Sequence, residues 1–189
     1  IGPRACYDEG KRAAETLAFD FARGRRADVR VARIFNTYGP HMRMDDGRVV
    51  SNFICQILAG EPLTIYGAGS QTRSFCYVED TVDALIRLMR AEMRELVPVN
   101  IGNPHEITIA ELVETLGAIA ARPVRVTHRD LPVDDPERRR PDIERARALL
   151  GWEPATPLSA GLRQTFAWFA AERRALAGAP PVVRVTAAG

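Results

Sequence analysis

Tyr7-Asp8-Glu9-Gly10-Lys11 is the stretch from which this chain is best read. On a helix, positions i and i+4 share one face a turn apart, so the Tyr7 phenol and the Lys11 ammonium stand side by side. A cation beside a phenol favours the phenolate and makes a general base of a group that is ordinarily inert at neutral pH. Composition adds weight to the pair. Of 26 basic residues, Lys11 is the one lysine and all the others are arginine. A lysine kept in such a background suggests a task for a compact ammonium with three donors, which a planar guanidinium cannot do. The alternative is a surface helix that happens to carry Tyr and Lys four apart.

Outward from this pair, the pattern predicts a helix from about Ala5 to Arg23, with Ala13, Leu17, Phe21, Ala14 and Ala18 as an apolar stripe and Gly24 as its stop. Val29 to Phe35 reads as a buried strand with Val29, Val31 and Phe35 on one face. The loop Asn36-Thr37-Tyr38-Gly39-Pro40 follows at the carboxyl end of that strand, where α/β sheets bind ligands. Further elements are expected in order: a helix Val49 to Leu58 ending at Gly60, a strand Leu63 to Tyr66, a turn Gly67 to Ser70, a strand Ser74 to Val78, a helix from Glu79 to about Met93 and a strand Val97 to Ile101. Then come a Thr108/Glu111 capping box opening a helix to about Ala121, a strand Val124 to Thr127, a charged loop Arg129 to Pro141, a short helix ending near Gly151, and a last helix Leu158 to about Leu176 with Leu162, Phe166 and Phe169 inward. Strands alternating with helices argue for an α/β fold.

The totals exclude several classes. A net charge of +2 gives no case for nucleic acid, and Arg138-Arg139-Arg140 is interleaved with Asp134, Asp135, Glu137 and Asp142. Cys6, Cys55 and Cys76 suit a reducing, cytoplasmic setting. With His41, His105 and His128 they show no metal-ligand spacing, so no metal is expected. No apolar run is long enough to cross a membrane.

Several ordered blocks together resemble the extended short-chain dehydrogenase/reductase family, and within it the UDP-glucuronate decarboxylases. They are Cys6 to Arg12, Ala32 to Pro40, Asp45 to Phe53, Gly60 to Thr64, Gly69 to Phe75, Asn100 to Pro104, Arg139 to Ile143 and Gly151 to Pro154. The resemblance implies NAD as cofactor, a UDP-sugar as substrate and a homodimer in the full-length members. It implies decarboxylation of UDP-glucuronate to UDP-xylose through a 4-keto sugar. A 4,6-dehydratase or 4-epimerase, or a non-catalytic sugar-nucleotide-binding module, stands as the alternative. By the same resemblance Tyr7 and Lys11 are the catalytic pair and also touch the cofactor, together with Thr37. Asn36, Arg48, Tyr66, Arg73 and Arg139 are substrate-binding: Asn36 and Arg73 toward the sugar diphosphate, Arg139 toward the diphosphate or the reacting sugar, Arg48 toward diphosphate or carboxylate, and Tyr66 at the uracil-side wall. Against these stand a turn residue for Asn36, a solvated loop charge for Arg48, plain packing for Tyr66 and an ordinary cross-strand charge for Arg73. Trp152 and Trp168 read as packing.

The implied organisation is the C-terminal part of a Rossmann-fold enzyme. Residues 1–35 would be a remnant of the NAD-binding domain and 36–176 mainly the smaller sugar-nucleotide lobe, with about 79–102 returning to the Rossmann sheet and 177–189 a flexible tail. The glycine-rich NAD loop of the family has no counterpart in these residues. The expectation is therefore that this polypeptide alone is inactive, binds NAD poorly and aggregates through an exposed strand edge.

Overall fold

The computed structural model describes residues 5–24, 27–93, 95–131 and 138–178. Helix α1 covers Ala5–Arg23 and is followed by β1 (Ala32–Ile34) and β2 (Thr37–Tyr38). Next come α2 (Val49–Ala59), β3 (Leu63–Tyr66), β4 (Thr72–Ser74), β5 (Cys76–Tyr77), α3 (Val78–Arg90) and β6 (Val99–Ile101). The chain continues through β7 (Glu106–Thr108), α4 (Ile109–Ala120), β8 (Val126–Arg129), β9 (Arg138–Arg139), α5 (Glu144–Leu150) and α6 (Leu158–Gly178).

Three two-stranded sheets are parallel: β1 with β6 (Ala32 opposite Val99), β2 with β5 (Thr37 opposite Cys76), and β3 with β8 (Leu63 opposite Val126). A fourth sheet has the order β7-β4-β9, antiparallel on one side and parallel on the other. Parallel neighbours need long crossovers, and helices supply them here, which makes the fold α/β.

Two apolar cores result. The larger gathers Phe53, Ile54 and Ile57 of α2, Leu63 of β3, Leu112 and Leu116 of α4, and Leu162 and Phe169 of α6. The smaller packs Ala84 and Leu88 of α3 and Val99 and Ile101 of β6 against Ile143, Ala146 and Trp152. Trp152 is packing, as expected, and its indole N–H donates to the Asp80 carbonyl at 3.0 Å. Trp168 lies against Phe169 and the His41 ring. Helix α6 seats so closely on the β2–β5 pair that a Cβ at Gly161 would overlap the Tyr38 hydroxyl. That hydroxyl donates to the Leu158 carbonyl, and Tyr77 donates to Gln164 at 2.7 Å, so two phenols hold the helix in place. The capping box is present in full: Glu111 N–H donates to Thr108 Oγ1 at 3.1 Å, and Thr108 N–H to Glu111 Oε2 at 2.7 Å.

Several expectations need correcting. The strand at 29–35 contracts to Ala32–Ile34, and the strand at 74–78 divides into β4 and β5 around Phe75. Thr37 and Tyr38 form a strand rather than loop because Cys76 and Tyr77 supply a ladder from forty residues away. Arg138 and Arg139 leave the charged loop to pair with β4. The last helix runs on to Gly178, past the expected start of the tail, and α3 stops at Arg90. Ile1 to Arg4, Arg94, Asp134, Asp135, Glu137 and the tail from residue 179 lie outside the described residues. Among the described residues no helix is long and apolar enough to cross a membrane.

Candidate active site

Helix α1 displays its pair as the spacing predicts. Lys11 Nζ lies over the Tyr7 ring, 5.4 Å from its centre, where the π face attracts a cation. Tyr7 is 63 % exposed, so the phenol is not packed into the core. The other tyrosines contrast with it. Tyr38 is buried and its phenol is pushed far up by the loss of solvent, and Tyr77 is pushed up for the same reason, so neither is an acid or base near neutral pH. The helix is tied to β1 by a two-point ion pair. Arg33 Nη2 reaches Glu15 Oε1 at 2.6 Å and its Nε reaches Oε2 at 2.9 Å. This hydrogen bonding holds the Glu15 carboxyl below its ordinary range.

Downstream of β1, Asn36 is fixed by its backbone, whose carbonyl accepts from Cys76 N–H at 2.9 Å. Thr37 Oγ1 donates to the Phe35 carbonyl at 3.1 Å and meets Thr81 Oγ1 at 3.2 Å, which ties this position to the first turn of α3. With its proton committed to Phe35, the Thr37 hydroxyl has acceptor capacity left for a ligand. Burial raises the Cys76 thiol to about 11, which leaves it inert beside this loop.

Arg48 is the N-cap residue of α2, with its side chain 65 % exposed. Tyr66 ends β3 half-exposed, and its carbonyl accepts from Gln71 Nε2 at 2.8 Å. Arg73 sits in the middle of β4, half-buried, with Nη1 donating to the Thr72 carbonyl at 2.8 Å. Strand register sets Arg139 directly beside Arg73, although 66 residues separate them. The Arg139 side chain itself lies outside what is described.

The structure thus brings Arg73 and Arg139 to one sheet and couples Thr37 to α3. Tyr7 and Lys11 stand on a separate helix linked through Glu15 and Arg33. The motif reading missed Asp46, which anchors the loop before Arg48, and Thr81. Asp46-Gly47-Arg48 carried a usable signal, since Asp commonly accepts from the backbone two residues on. Thr81 carried none, because its partner is distant in sequence. Among the described residues no His, Cys, Asp and Glu cluster could hold a metal ion.

Comparison with known proteins places this geometry. Residues 1–102 match the model of the NAD dependent epimerase/dehydratase family. UDP-glucuronic acid decarboxylase 1 of Danio rerio is 53% identical over 172 residues, 91% of this chain and 41% of that protein. UDP-glucuronic acid decarboxylase 3 of Arabidopsis thaliana is 56% identical over 162 residues, 86% of this chain and 47% of that protein. The chain therefore spans about half the length of the curated relatives it matches. Among solved structures, UDP-glucose 4-epimerase from Thermotoga maritima with UDP-glucose superposes with a TM-score of 0.80 at 30% identity, covering 88% of this chain and 52% of that one. MoeE5 in complex with UDP-glucuronic acid and NAD gives 0.79 at 32% identity, covering 89% and 56%. Together with the Tyr7–Lys11 helix and the parallel α/β sheets, these matches show that the chain belongs to the NAD-dependent epimerase/dehydratase family.

Proposed function

We propose that the protein takes part in NAD-dependent decarboxylation of UDP-glucuronate to UDP-xylose, a lyase reaction in the cytoplasm. The observation that carries this reading is the identity above one half with two UDP-glucuronic acid decarboxylases across 86% or more of the chain. Residues 1–35 would serve the NAD-binding domain and 36–176 mainly the sugar-nucleotide lobe. The parallel pairing of β1 with β6 supports assigning about 79–102 to the first of these. Cys6, Cys55 and Cys76 are free thiols, which favours a reducing compartment. The exposed Leu17 and Phe21 on α1 favour a homodimer.

The residues present fit one end of the cofactor. An exposed phenol and ammonium on one helix face are suited to a ribose hydroxyl and the reacting carbon, with Thr37 offering an acceptor just after β1. Bound NAD would supply reversible hydride transfer at the sugar C4. Tyr7 removes the C4 hydroxyl proton as that carbon is oxidised, and the Lys11 charge stabilises the phenolate. With a ketone at C4 the C5 carboxylate belongs to a β-keto acid, and CO2 leaves while its electrons pass into the ketone as an enolate. Protonation at C5 follows. Tyr7 then returns its proton to the C4 oxygen as that carbon is reduced. Asn36, Arg73 and Arg139 hold the diphosphate through this sequence, Arg48 the diphosphate or carboxylate, and Tyr66 borders the uracil.

A second reading, 4-epimerisation, is favoured by solved neighbours such as UDP-glucuronic acid 4-epimerase of Bacillus cereus, 26% identical with a TM-score of 0.75. One experiment separates the two. The protein expressed from its full reading frame is incubated with UDP-glucuronate and NAD, and the products are resolved. Release of CO2 with UDP-xylose is expected. A product that keeps its carboxylate would move the assignment to epimerase, and binding without turnover would leave a sugar-nucleotide-binding module.

A further inference from the structure

The loop between β2 and α2 carries two adjacent aspartates with opposite surroundings. Asp45 is 72% exposed and takes Arg43 in a two-point pair, Nε at 3.0 Å and Nη2 at 2.9 Å. Asp46 turns inward, only 18% exposed, and carries the connections of the loop. Its Oδ1 accepts from Arg48 N–H at 3.0 Å and from the Ser51 hydroxyl in a short hydrogen bond. Ser51 Oγ also reaches the Arg48 carbonyl at 2.9 Å. Its other oxygen, Oδ2, lies 3.7 Å from Arg48 Nε. Between the two residues Gly47 adopts φ +76, a left-handed conformation that folds the chain back on the carboxylate. Its carbonyl is fixed in turn by Asn52 Nδ2 at 3.2 Å.

One carboxylate therefore meets Arg48 twice, by a hydrogen bond at its backbone N–H and by a longer ion pair with the inner nitrogen of its guanidinium. A long side chain at an exposed helix start otherwise has many rotamers to lose on binding. Contact through Nε leaves the two terminal nitrogens of the fork for an anion. Closing the turn before α2 would require only Oδ1. The placement of Oδ2 toward the guanidinium is the part that the turn does not explain.

We propose that Asp46 is a positioning residue that presents the Arg48 guanidinium to an anionic group of the substrate, an inference that rests on the sugar-nucleotide reading above. Asp46→Asn keeps an oxygen for Arg48 N–H and Ser51 but turns an amide N–H2 toward Arg48 Nε, donor against donor. Asp46→Ala removes both grips.

The test uses the protein from its full reading frame and calorimetric affinity for UDP-glucuronate, with melting temperature followed in parallel. Arg48→Ala is expected to weaken binding about tenfold, the scale of one charge-assisted hydrogen bond. Asp46→Asn should weaken it about threefold while the melting temperature holds, a loss on the scale of a partly exposed ion pair. In turnover the change should fall on KM with kcat little altered, as for lost uniform binding. The deciding measurement is the double variant, which should bind no more weakly than Arg48→Ala alone. Additive losses, or an Asp46→Asn protein that binds as the parent does, would overturn the proposal and leave Asp46 as a residue of the turn before α2. Failure of the unsubstituted protein to bind UDP-glucuronate would instead overturn the sugar-nucleotide reading, and this inference with it.

Discussion

Helix α1 and helix α6 are of similar length, 19 and 21 residues, yet they relate to the molecule in opposite ways. α1 buries none of its residues, and leaves Leu17 60% and Phe21 48% exposed. α6 sinks Leu162, Thr165 and Phe169 completely and is clasped by the hydroxyls of Tyr38 and Tyr77. The helix with the chemical pair contributes little to cohesion among the described residues, whereas the helix without it closes the main core. Folding and chemistry are thus separable by substitution, and each change below tests how cleanly.

The largest effect belongs to the exposed helix and to activity. If the proposed function holds, Tyr7→Phe would remove the proton carrier and should lower kcat on UDP-glucuronate about a thousandfold, the range of general acid–base catalysis, with an unchanged melting temperature. A matching loss of stability would break the contrast. Phe169→Ala should do the reverse, costing about 4 kcal/mol in denaturant unfolding by emptying a fully buried site at the junction of α6 and the core. Gly161→Ala comes next. Its methyl has to displace the Tyr38 phenol, and about 2 kcal/mol of overpacking is expected from the same unfolding measurement.

Smaller effects test the attachment of α1. The Glu15 carboxyl is held below its ordinary value by Arg33, so its contribution to stability is present above the unfolded carboxyl value and disappears as pH falls through the lowered one. The melting temperatures of the parent and Glu15→Gln proteins should differ at pH 7 and converge toward pH 3. The difference should amount to no more than about 1 kcal/mol because the pair is partly solvated. Leu17→Ala should be smallest for a single copy of the chain, within about 0.5 kcal/mol, since little apolar area is removed from water there. A cost of several kcal/mol would mean that another surface covers α1 in solution.

The helices were legible because their signals are local. The α1 limits Ala5 and Arg23, the Thr108–Glu111 box and the inward Leu162 and Phe169 follow from periodicity and capping chemistry. The apolar stripe on α1 marked the helix correctly, although a pattern shows which face could be buried and not whether anything covers it. Short strands escaped for another reason. β2 is two residues long, and what makes it a strand is the ladder from Cys76 and Tyr77. β9 depends in the same way on β4. At the candidate site, Tyr7 and Lys11 lie within one helical turn and could be read together. That Arg139 is the neighbour of Arg73 is set by register, which no local window contains.

The lone lysine also has an experimental use. Over these 189 residues Lys11 offers one side-chain amine, seated on the face of an aromatic ring. Reductive methylation with isotopic formaldehyde would introduce one side-chain label within this span, inside the ring current of Tyr7. Its chemical shift would follow the ionisation of the phenol and the arrival of a ligand, so the residue pair carries its own spectroscopic reporter.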